Sequence, residues 1–110
     1  WMVFYAACFE PAMIDRAMKR EPGPAMMSPY GDIDTVVATV NAQIRAAPFM
    51  LGTDFSVCDV LWGTALGSMV SFGVLAETPE IKAYVERVST RPAAVRMREK
   101  DAALAAAQAG

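Results

Sequence analysis

Between Asp59 and Glu77 the chain reads VLWGTALGSMVSFGVLA, seventeen residues without a charge. A helix that is apolar on every side has to be covered, either by a protein core or by lipid. Crossing a bilayer takes about 20 consecutive apolar residues. This run is shorter, holds Gly, Ser and Thr, and has a carboxylate at each border. It therefore reads as a buried core helix, beginning after Ser56 and running to about Phe72, on which the rest of the chain must pack. Gly63, Gly67 and Ser71 recur every four residues on one face. A glycine inside a helix costs about 1 kcal/mol relative to alanine, so a neighbouring backbone is expected to approach closely there.

Four further helices are expected and no strand. The first spans about Met2 to Arg20, with Tyr5, Cys8, Phe9, Ala12 and Met13 at helical spacing. Pro11 interrupts it and cannot bond the Ala7 carbonyl, which predicts a kink. Arg16, Lys19 and Arg20 suit the C-terminal dipole. Glu21 to Gly31, with three prolines and two glycines, reads as a loop. The second helix runs from Asp32, a capping residue, to about Ala47, with Ile33, Val36, Val37, Val40 and Ile44 as its apolar stripe. The fourth starts at Thr78-Pro79-Glu80, as cap, first residue and dipole partner, and ends near Val88. The fifth starts at Pro92 and runs to about Ala107, with a tail that has little to bury and should fray. The fold class is all-α, a bundle of about five helices around a central buried helix. A length of 110 residues fits one domain, 1–110.

Composition then removes chemistries. There is no histidine, so Ser-His and Cys-His nucleophilic sites and the imidazole base are excluded. Cys8 and Cys58 stand far apart with no second ligand near either, which argues against a disulfide framework or a zinc site and for a reducing, cytoplasmic setting. Net charge is −2 with no basic run, so nothing draws the chain to nucleic acid or anionic lipid. A hydrophobic share of 55% against 20% charged residues points to a well-filled core or to an additional face covered by a partner. The opening WMVFYAACF lacks the basic region of a signal peptide. Beginning inside an apolar pattern, it looks like a piece of something longer.

GTDFSVCDVLW, residues 52–62, gathers Ser56, Cys58 and Asp59. Ser56 and Asp59 have the spacing of a capping box, and Phe55 and Val60 that of a hydrophobic staple. This accounts for both polar residues without catalysis, and a carboxylate without histidine is a poor base for serine. Cys58 and Cys8 read as small buried residues. Glu10 fits a solvated helix face and, equally, the polar edge of a cleft beside the proline bend. Trp62, Met69 and Phe72 fit plain core, with a ligand pocket as the alternative.

The order of these pieces resembles the C-terminal helical domain of the cytosolic glutathione transferase superfamily. FSVCDVLWG is similar to that family's capping box and staple leading into its central helix. PEIKAYVERVSTRPAAVRM, residues 79–97, is similar to its penultimate helix, short turn and Arg-Pro start of the next. WMVFYAACFEPAMID is similar to its first long helix, bent at a Glu-Pro. Together they cover essentially the whole chain.

The resemblance implies a two-domain, dimeric protein. A thioredoxin-like domain, absent from this chain, would bind glutathione and carry the thiol-activating residue. This domain would supply the apolar wall for an electrophilic substrate and part of the dimer interface. The face with Val3, Ala7, Glu10 and Pro11, together with Ser68, is then expected near that cleft. No residue of the chain is assigned a catalytic or metal-binding role, and the chain alone is expected to be inactive and prone to self-association. In bacterial beta-type members, histidine and lysine usually stand where this chain has Glu10 and Pro11, and the family usually has alanine where this chain has Cys58. The alternative is a non-catalytic helical interaction module of the same fold.

Overall fold

The computed structural model describes all 110 residues and contains helices and no strand. In chain order these are α1 (Met2–Phe4), a π-helical segment (Tyr5–Phe9), α2 (Glu10–Ala17), a 3-10 turn (Ala25–Met27), α3 (Ile33–Ala46), α4 (Val57–Ser71), α5 (Pro79–Ser89) and α6 (Pro92–Ala109). α1, the π segment and α2 follow one another without a break, so the elements form five helical bodies.

Pro11 is accommodated by a change of register. The Glu10 N–H donates to the Tyr5 carbonyl, five residues back, so the widened turn directly precedes the proline that lacks an N–H. The helix stops at Ala17, three residues earlier than the basic run implied. Lys19 adopts φ 54, and the Arg20 N–H donates to the Asp15 carbonyl at 2.9 Å while the Lys19 N–H reaches Arg16 at 3.1 Å. This is a Schellman end with lysine where glycine is usual. α4 ends in the same motif around Gly73, at φ 72.

Local chemistry sets the helix starts. Asp32 accepts from the Thr35 N–H at 2.9 Å and from its hydroxyl at 2.7 Å. Thr78 accepts from the Ile81 N–H at 3.2 Å. α6 opens on Arg91-Pro92, with no side-chain cap. It is helical through Ala109, two residues beyond the expected end, and has no buried residue.

Trp62 on α4 is fully buried and occupies the centre of an aromatic layer. Trp1, Phe4, Tyr5 and Phe9 place their rings within 4.9–6.1 Å of it, and its indole N–H donates to the Trp1 carbonyl at 3.2 Å. Rings, rather than close backbone approach, therefore join the first helical body to α4. On another side, α4 packs tightly on α5. A Cβ on Gly63 would lie 2.6 Å from Val88 Cγ1, and one on Gly67 would lie 3.3 Å from Val85 Cγ1. Ser71, the third residue of the small-residue row, is exposed and donates to the Gly67 carbonyl. The expectation that α4 is buried nearly all round needs correction: Cys58, Asp59, Trp62 and Leu66 are covered, but Val57, Val60, Thr64 and Phe72 are exposed.

Candidate functional site

Asp59 is the one charged residue that is fully buried. Both halves of the capping box form, with the Ser56 N–H donating to Asp59 Oδ2 at 2.9 Å and the serine oxygen leaning toward the Cys58 N–H, at 3.2 Å. The carboxylate reaches further than a cap. Oδ1 accepts from the Met50 N–H at 2.8 Å and from the Tyr84 hydroxyl at 2.7 Å. Met50 sits in a tight turn closed by paired backbone bonds between Phe49 and Gly52, and its carbonyl accepts from Gln43 Nε2 at 2.9 Å. Asp59 thus ties together the start of α4, the 48–52 connector and α5. Burial first, then the Asp59 hydrogen bond, drives the Tyr84 hydroxyl far above its usual range. With all its donors inside the protein, this cluster offers nothing to a substrate.

Around the box, the flanking apolar residues do other work. Val60 is exposed. The Phe55 ring instead meets Phe49 edge-on at 5.8 Å and carries the Arg91 guanidinium 3.5 Å above its centroid. Cys58 is buried, and Cys8 is half-buried with its thiol 3.7 Å from the Pro29 carbonyl. No three His, Cys, Asp or Glu side chains converge to hold a metal ion.

The residues named from the sequence fall on the first helical body and α4. Val3 is 80% exposed, Ala7 is exposed, and Glu10, Pro11 and Ser68 are half-buried. The π turn bonds the Glu10 N–H to the Tyr5 carbonyl, and burial together with the Glu10 carboxylate pushes the Tyr5 hydroxyl up to about 12. No hydrogen bond links Ser68 to Glu10; the Ser68 carbonyl accepts from the Phe72 N–H at 2.9 Å.

An open groove of about 540 Å³ lies between the C-terminal turns of α2 and α4. Met13, Ile14, Ala17, Met69, Phe72 and Val74 form its apolar lining, with Arg16 and Lys19 as its charged residues. None of Val3, Ala7, Glu10, Pro11 and Ser68 lines this groove. Met69 and Phe72 do, whereas Trp62 is core. Ile14, Arg16 and Lys19 carry no motif, and only the exposure of an apolar residue at position 14, in register with Val3 and Ala7, would have marked them.

No helix is long and apolar enough to cross a membrane. No family model, curated protein or solved structure matches the chain.

Proposed function

We propose that the chain is the helical half of a glutathione-transferase-like protein. Its uncovered face would serve as the wall against which an electrophile is held for attack by a glutathione thiolate. The observation that carries this reading is the exposed side of α4. The most apolar helix of the bundle leaves Val57, Val60 and Phe72 in water, and Phe72 shares a groove with Ile14 of α2. An apolar strip on a central helix is expected to be covered by something. A thioredoxin-like companion domain carrying glutathione fits that place. The half-buried Glu10, Pro11 and Ser68 would border the junction. The capping box into α4, the proline-bent first helix and the Arg-Pro start of α6 support the same reading.

In this scheme the helical domain binds and desolvates the apolar part of the electrophile, while the companion domain lowers the thiol pKa and aims the sulfur. A homodimer in the reducing cytoplasm is part of the proposal. The test is to express the polypeptide with the coding sequence upstream of Trp1 and to assay conjugation of glutathione to 1-chloro-2,4-dinitrobenzene. Activity in the longer protein and none in the 110-residue chain is the expected result. An upstream segment that encodes a linker into an unrelated domain, with no conjugation, would leave the interaction-module reading in its place.

A further inference from the structure

α6 is 18 residues long and buries none of them. Ala94 and Val95 are half-buried, and from Arg96 onward every residue is exposed. A helix in water draws most of its stability from packing an apolar face. Successive helical residues turn by about 100°. Met97, two after the half-buried Val95, therefore lies on the opposite side of α6. Leu104, nearly two turns further on, lies almost in line with Met97, and both are more than half exposed. Between them on the same side stand Lys100 and Asp101, and neither has an opposite charge within 4.0 Å. Their own helix does not supply one. Arg98, three residues before Asp101, is turned to the Ser89 carbonyl at 2.7 Å. No residue three or four positions from Lys100 is a carboxylate.

We propose that α6 docks on α6 of a second copy of this chain, antiparallel, about a two-fold axis between Lys100 and Asp101. In this register Met97 lies level with Leu104 of the second copy, each three positions out from the axis. Lys100 lies level with Asp101 of the second copy, and symmetry makes every such contact twice. Ala94 and Ala107, level with each other six positions out, are small enough to let the backbones close in. A parallel pair would set Lys100 against Lys100 and Asp101 against Asp101, so charge selects the direction. The seam is short, and the association belongs with small, transient interfaces. It shares no residue with the α2–α4 groove or with Val3, Ala7, Glu10, Pro11 and Ser68. It therefore goes beyond the glutathione-transferase reading and does not rest on it.

Charge complementation tests the register by sedimentation equilibrium of the 110-residue chain. Lys100→Glu alone and Asp101→Lys alone each set like charges level twice. Each should weaken self-association at least about fivefold, the worth of one exposed ion pair. Mixed in equal amounts, the two variants should restore it, because both level pairs are then of opposite charge. Both positions are exposed, so helical circular dichroism should not change. Disulfide trapping gives the second arm. In a Cys8→Ala, Cys58→Ala background, Met97→Cys and Leu104→Cys chains should crosslink when mixed under oxidation. Neither should crosslink alone, since identical positions stand about 10 Å apart along the axis. Self-association through another face would follow neither pattern. A mixture no better than its components, Met97→Cys crosslinking with itself, or a chain that stays monomeric at millimolar concentration would each overturn the proposal. Conjugation by the longer polypeptide plays no part in these measurements, so the two readings fail separately.

Discussion

The Tyr84 hydroxyl donates to Asp59 at 2.7 Å across the α4–α5 interface, with both side chains out of solvent. The bond turns a helix cap into a tertiary clamp. Removing the carboxylate strands two buried donors, the Met50 N–H and the Tyr84 hydroxyl, besides uncapping α4. Asp59→Ala is therefore expected to cost about 3–5 kcal/mol, since each orphaned donor costs about 1–3 and the cap about 1. Tyr84→Phe leaves the carboxylate its two backbone donors and should cost about 1–2 kcal/mol. Urea unfolding of both variants and the double variant checks this. A loss below about 1 kcal/mol for Asp59→Ala would reduce Asp59 to a surface cap.

All three tyrosines ionise above their usual value of 10.0 in the folded chain. Burial leads for Tyr5 and Tyr84, and the hydrogen bond to Asp15 leads for Tyr30. The folded state thus holds these protons more tightly than the unfolded state. The stability they contribute is fully present below pH 10 and is lost as pH rises through the folded values. Tyrosinate absorbance in the near ultraviolet should stay absent just above pH 10 and then appear together with loss of helical circular dichroism. Tyrosinate forming near pH 10 with helicity intact would contradict it.

Gly63 faces Val88 with no room for a methyl group, whereas a Cβ on Gly67 would meet Val85 Cγ1 at 3.3 Å, so that the valine must yield by a few tenths of an ångström. Alanine has the better helix propensity by about 1 kcal/mol, so the cost at Gly67 should be offset while that at Gly63 is not. Gly63→Ala is expected to destabilise by about 1–3 kcal/mol through overpacking. Gly67→Ala should be neutral or slightly stabilising. The double variant Gly63→Ala, Val88→Ala should recover part of the loss. Equal effects at both glycines, measured by thermal unfolding, would mean that α4 and α5 do not pack as closely as the geometry requires.

Helix starts were legible because their signals are local: Asp32, Ser56 and Thr78 each bond an amide within three residues. Tertiary relations were not. Ser56 and Asp59 look alike as cap partners in sequence, and nothing near position 59 announces that Tyr84, twenty-five residues on, shares its carboxylate. Tyr84 sits in the core register of α5 with Ile81 and Val88, and a buried hydroxyl needs a partner, but the pattern cannot say which one. The same limit hid the exposed side of α4. An apolar stretch with no polar stripe gives no direction, so which face lacks cover is decided by the neighbouring helices. Pro11 signalled a bend, yet the π register that absorbs it depends on backbone bonding around Tyr5. The early stop of α2 was missed because the left-handed residue there is Lys19 and not glycine.

That lysine gives the last prediction. A non-glycine residue in the left-handed region costs about 1–2 kcal/mol, and glycine returns about 0.5–1 of this as greater freedom in the unfolded chain. Lys19→Gly should therefore raise stability by about 0.5–1 kcal/mol, a shift of a few degrees in Tm for a domain this small. Lys19→Ala keeps the strain and should gain nothing. Differential scanning calorimetry separates the two. If alanine stabilises as much as glycine, the gain comes from the side chain and not from the backbone conformation. If glycine alone stabilises, the chain holds a lysine at the rim of the groove against its own folding free energy.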